Sequence, residues 1–159
     1  MYKEIPLAGK DLVSEMFIAS SAGLVELGND SLVKTASVKE LSPEIQRSLK
    51  VLEMDSDNYM YLVLAALGAG EYWGMNRNSD YFTERGLKKN YKTYELNGRV
   101  YTHHQNKDPK KSIGKVLTAG WNDQMKRVEL IVCIDKAEAK IRAPEFLSAL
   151  ERGEFPDVS

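Results

Sequence analysis

The 159 residues are 43% hydrophobic and 28% charged, enough apolar material for one folded core that hides roughly 70% of the surface of the unfolded chain, which excludes disorder as the main state. The longest apolar run, Tyr59 to Gly70, is about half of what a ~30 Å hydrocarbon layer demands, and the opening MYKEIPLAGKD lacks the basic-then-apolar pattern of a signal peptide. A soluble, non-secreted protein with no membrane association is expected. The net charge of −1 conceals an uneven distribution: residues 1–82 hold 7 basic and 12 acidic side chains, residues 83–127 hold 11 and 4, and residues 128–159 hold 4 and 7.

Along the chain, Lys10 to Leu27 is ambiguous. Leu12, Val13, Met16, Phe17, Leu24 and Val25 keep roughly helical spacing, which Ser20-Ser21-Ala22-Gly23 weakens. A clearer helix opens at Ser42 as cap, with Pro43 in the first helical position and Ile45, Leu49 and Leu52 on one face, and should stop near Asp55. YMYLVLAALGAG then reads as a buried strand entering a glycine-permitted bend, with a core helix as the alternative. Thr83 caps a short basic helix to Tyr91, and Asn97-Gly98 turns the chain into a strand from Arg99 to Thr102.

Ser112 to Gly120 and Arg127 to Asp135 read as a hairpin closed by WNDQMK, with Val128, Leu130, Val132 and Ile134 alternating against Glu129, Ile131 and Cys133. Ala137 to Arg152 reads as a helix ending at Gly153, which Pro144 either splits or restarts, and FPDVS opens a last extended piece. The expected fold is α+β, a largely antiparallel sheet or partly closed β-barrel flanked by helices. Residues 1–55 form an N-terminal helical region and residues 56–159 the α+β domain, incomplete at its C-terminus, so that the polypeptide is expected to be a piece of a longer protein.

Cys133 is the only cysteine, so neither an internal disulfide nor a CxxC metal site can form, and a reducing compartment fits. The cations Arg85, Lys88, Lys89, Lys92, Arg99, Lys107, Lys110, Lys111 and Lys115 could steer an acidic partner. The aromatics among them, Tyr91, Tyr94 and Tyr101, do not build a stacking platform, and a solvated face is the preferred reading over nucleic-acid binding. The two histidines, His103 and His104, stand side by side at a strand end before QNKDPKKS. Adjacent strand residues point to opposite faces, so one of them can enter a given pocket, where a histidine suits general-base work. With Asp108 they are the nearest approach to a zinc set, yet they fall short of four ligands at compatible spacing, and no metal or cofactor is expected.

Three blocks in order carry a resemblance over roughly residues 58–159: GEYWGMNRNSDYF (70–82), VYTHHQNKDPKKSIGKV (100–116) and LSALERGEFPDVS (147–159). They resemble the capsid-maturation, or prohead, serine proteases of tailed phages, a group with a fold similar to that of the herpesvirus assemblins. Asn76, Asn78 and Asp80 match the family's first block, His104 with Ile113-Gly114-Lys115 the second, and Val158-Ser159 the third. The resemblance implies that Ser159 is the nucleophile and His104 its base, with His103 the alternative to His104. In the family the serine is followed by a hydrophobic residue, a glycine and further strand, and a third triad member lies downstream, so activity is expected to require residues beyond Ser159.

The implied function is a serine endopeptidase that cleaves scaffold and major capsid proteins, and itself, as an oligomer within the prohead or virion in the host cytoplasm. The alternative is a non-catalytic N-terminal fragment retained as a capsid-assembly or virion component.

Overall fold

The computed structural model describes residues 2–4, 24–26, 31–34, 41–73, 79–102 and 105–152. In chain order the strands are β1 (Tyr2–Glu4), β2 (Leu24–Glu26), β3 (Ser31–Lys34), β4 (Tyr59–Gly68), β5 (Gly70–Trp73), β6 (Ser79–Phe82), β7 (Arg99–Val100), β8 (Gly114–Asn122) and β9 (Arg127–Asp135). The helices are α1 (Pro43–Val51), α2 (Glu84–Asn90), α3 (Thr93–Asn97), α4 (Lys136–Arg142) and α5 (Pro144–Glu151). The main sheet runs β2-β3-β4-β9-β8-β7, antiparallel except where β3 meets β4, and a smaller sheet runs β1-β5-β6. The class is α+β, and the antiparallel strands curl into a half-barrel. Among the described residues no helix is long and apolar enough to cross a membrane.

Local chemistry accounts for most element boundaries. The Ser42 hydroxyl accepts the Ile45 N–H at 3.3 Å, and Pro43, which has no donor to waste, sits in the first turn of α1. This helix ends at Val51, ahead of the expected Asp55, because Leu52 adopts extended backbone and the chain then tightens into the turn in which Asp55 accepts the Asn58 and Tyr59 N–H groups. The apolar run is strand β4, paired with β9 from Tyr59 opposite Asp135 to Gly68 opposite Arg127. Thr83 caps α2 through the Gly86 N–H at 2.9 Å. The additional helix α3 follows, so Gly98 closes a helix before β7 begins. Pro144 starts α5 after a break at Ala143 and so splits the last helical stretch in two. Leu24 and Val25, which fit a helical spacing, lie with Glu26 in strand β2; the remainder of the Lys10–Leu27 stretch, together with Gly153 and FPDVS, lies outside the described residues.

Strand β9 is buried along both faces, from Arg127 through Ile134. On one face Met60, Leu62, Val116, Ala119, Trp121, Val128, Leu130, Val132 and Ile134 pack with Ala139, Leu147 and Leu150 of α4 and α5. On the other, Val63 and Ile131 pack with Leu41 and Ile45 at the start of α1. The N-terminal region expected over residues 1–55 and the domain from residue 56 therefore meet through shared packing, and β3 pairs with β4 across the same division. A bulge between Val116 and Thr118 lets Val116 and Ala119 face the same cluster, which strict alternation forbids. Gly120 permits the docking of α1, because a side chain there would collide with the Ser42 hydroxyl and Ile45.

Under the start of α1 lies a buried charge. Glu129 has no exposure to solvent. It accepts the Ser42 N–H at 2.6 Å, the Asn122 amide at 3.1 Å and Arg127 Nε at 2.9 Å. Arg127 is itself buried, and its Nη2 has no hydrogen-bond partner among the described residues. Removing the carboxylate leaves this guanidinium uncompensated. Glu129→Ala should therefore lower the unfolding free energy in urea by about 3–5 kcal/mol, against about 1 kcal/mol for the cap variant Ser42→Ala. Equal, small losses in the two variants would show that the ion pair does not hold this face.

Candidate functional site

The segment carrying the histidines leaves the sheet at β7 and returns at β8, and both of its ends are fixed. Val100 pairs with Gly114, and the Ile113 N–H donates to the Val100 carbonyl at 2.8 Å. Ile113 is buried among the main cluster, and its own carbonyl accepts the Asp135 N–H at 2.7 Å, so the loop is tied to β9 as well. Gly114 must be small because a Cβ there would overlap the Cys133 carbonyl oxygen. The Ile113-Gly114-Lys115 motif thus has a structural reading: one residue anchors the loop and the next allows three strands to converge.

Inside the loop, Asp108 caps a short 3-10 turn (Pro109–Lys111) by accepting the Lys110 N–H at 3.0 Å. The Ser112 hydroxyl bonds the Gly114 carbonyl at 2.6 Å. His103 and His104 lie outside the described residues. Their flanks do not continue the expected strand: β7 ends at Val100, and the Gln105 N–H donates to the Thr102 carbonyl at 3.0 Å. The expected strand from Arg99 to Thr102 is therefore shorter by two residues, and the choice of His104 over His103 rests on the match of His104 to the second block of the resemblance.

The other expected site residues are less fully placed. Asp80 is exposed and lies on β6 opposite Tyr72 of β5. Asn76, Asn78, Val158 and Ser159 lie outside the described residues. The helix that leads toward Ser159, α5, is anchored by Leu147 and Leu150 in the same cluster that holds Ile113. The second and third segments named by the resemblance are consequently anchored in one core. Cys133 is buried, and that burial pushes its thiol pKa up, which leaves it a poor nucleophile. Among the described residues no three His, Cys, Asp or Glu side chains converge as a metal site would require.

Part of the basic middle is consumed internally. Lys92 pairs with Glu44 at 2.8 Å and with Glu95 at 2.9 Å, Lys88 with Asp123 at 3.0 Å, and Lys126 with Glu84 at 3.0 Å. Arg85, Lys89, Lys107, Lys110, Lys111 and Lys115 are exposed. Asp123, beside Lys88, the Trp121 N–H and Lys126, has its pKa lowered to about 2. Sequence reading missed the Glu44–Lys92–Glu95 group because Glu44 lies 48 positions before Lys92, so only the fold brings the two segments together. Glu129 shares a strand face with Ile131 and Cys133, a hint of burial that does not by itself name the groups that neutralise it.

No protein-family model, curated protein or solved structure matches the chain.

Burial pushes the Glu44 carboxyl pKa up, but hydrogen bonds from Lys92, the Tyr91 hydroxyl and the Trp121 N–H outweigh it and hold the group below the usual carboxylate range. A carboxylate whose pKa is depressed on folding contributes stability above its unfolded value and loses it as pH falls through the folded one. Between about pH 5 and pH 2 the wild type should therefore lose more unfolding free energy than Glu44→Gln does. Parallel stability curves for the two proteins over that range would refute this assignment.

Proposed function

We propose that the chain is a serine endopeptidase of phage head maturation, acting on scaffold and capsid proteins within the prohead. The observation that carries the reading is the ordered set of three blocks, Asn76/Asn78/Asp80, then His104 with Ile113-Gly114-Lys115, then Val158-Ser159. The α+β half-barrel is compatible with it. So is the anchoring of the histidine loop and of α5 in one apolar cluster, through Ile113 and through Leu147 and Leu150.

The chemistry is acyl transfer to water. His104 accepts the Ser159 hydroxyl proton as that oxygen attacks a peptide carbonyl, and the carbonyl oxygen becomes an oxyanion. The same imidazole returns the proton to the departing amine, leaving an acyl-serine ester. Water then repeats the sequence, with His104 again as base, to release the acid. His103 is the alternative base, and the β7 boundary at Val100 makes a direct comparison of the two histidines the deciding measurement.

In a chain extended beyond Ser159, a fluorophosphonate reagent should label Ser159, as mapped by mass spectrometry, and Ser159→Ala should abolish the labelling. His104→Ala should slow labelling and cleavage of scaffold protein by at least about 10³-fold while His103→Ala stays within about tenfold of wild type. The reverse ranking moves the base to His103. Labelling that survives Ser159→Ala ends the serine-protease reading.

A further inference from the structure

The geometry points to a charge-latched flap: we propose that residues 83–97, comprising α2 and α3, cover the outer edge of β8 and open as a unit while the sheet stays folded. β8 has 9 residues, but its outer neighbour β7 has only 2. A strand edge left bare is a site of uncontrolled pairing, so something other than a strand must cover it. Side chains do so here. Glu95 Oε1 accepts the Ala119 N–H at 2.8 Å, and Lys92 Nζ donates to the Ala119 carbonyl at 3.1 Å. Glu44, reaching across from α1, accepts the Trp121 N–H two residues further along. Lys92 sits between the two carboxylates and pairs with both, and the Tyr91 hydroxyl donates to Glu44 at 2.7 Å. Two carboxylates and an ammonium thus reproduce the acceptor and donor pattern of a missing strand.

The attachment of this cover differs from that of the other α-helices among the described residues. Neither α2 nor α3 contains a buried residue, whereas α1, α4 and α5 each contain at least one. The apolar contribution comes from Leu87, Tyr91 and Tyr94, all partly buried. The rest is electrostatic: Glu84 to Lys126 and Lys88 to Asp123 fasten one end to the β8–β9 turn, and Lys92 with Glu44 fastens the other. Exposed ion pairs are individually weak and are screened by salt, whereas the apolar packing of β4, β8 and β9 is not. The flap is therefore the part of the fold whose opening responds first to ionic strength.

Amide hydrogen exchange on the intact chain tests this. The reporters are the Leu87, Tyr91 and Gly98 amides, hydrogen-bonded within the flap, and the Ala119 amide on the sheet edge. All four should show one opening equilibrium and speed up together, about tenfold, when salt is raised from about 0.02 M to about 1 M, while the Leu130 and Val132 amides of β9 hold within about twofold. Lys88→Ala supplies the decisive arm, since Lys88 pairs with Glu84 and Asp123 and is remote in its bonding from Ala119. A unit predicts that this substitution accelerates exchange at Ala119 about threefold at low salt. Ala119 exchange that ignores Lys88→Ala, or that tracks the β9 amides through the salt series, overturns the proposal. Unchanged β9 protection certifies that the variant is folded.

Discussion

A carboxylate with no exposure to water must be neutralised where it stands, and Glu129 is neutralised by three donors drawn from three parts of the chain: Ser42 ahead of α1, Asn122 at the end of β8, and Arg127 at the start of β9. Isolated, that charge would cost several kcal/mol in an apolar interior. Its satisfaction fixes how the β8–β9 hairpin begins and where α1 lands. Gly120 then has to be small, Ile45 falls onto Ile131 and Val63, and the second face of the sheet is closed. The ion pair gives geometric specificity more than net stability, since a well-packed apolar substitute for both partners would be comparably stable.

The two faces of the sheet are thus held by different physics. The face toward α4 and α5 is an apolar cluster in which burial does the work at roughly 25 cal/mol per Å². The face toward α1 is smaller and organised around a charge. The outer edge of β8 is a third regime, partly exposed and mostly ionic. Sensitivity to mutation, pH and salt should be distributed accordingly, with deletions in the apolar cluster acting through cavities and changes at the edge acting through screened charge.

Much of this was legible in the residues. Ser42-Pro43, Thr83 and Pro144 marked helix starts through local chemistry that tertiary contacts did not override, and the aromatic, β-branched content of Tyr59–Gly68 favoured a strand over a helix. The bulge at Leu117 was not legible, because the phase shift it introduces falls among Leu117, Thr118 and Ala119, residues that either face of a strand accepts. Nor was the role of Glu129. A lone carboxylate in an alternating strand reads as the solvent face, and only the arrival of α1, from a segment 87 positions earlier, turns that face inward. For the site, Ile113 and Gly114 have an anchoring role that local sequence did not reveal, because it depends on the approach of β7 and β9 to the same two residues.

The lone cysteine gives this architecture a built-in clock. Cys133 occupies the middle of the sheet, opposite Tyr61 on one side and Lys115 on the other, and its thiol is both covered and hard to ionise. An alkylating reagent can reach it only when the cover over its side chain moves away, so the rate of its modification counts the openings that expose this face of the sheet. A protein with no other thiol to confuse the signal thereby reports the lifetime of its own core, residue-specifically and without any added label.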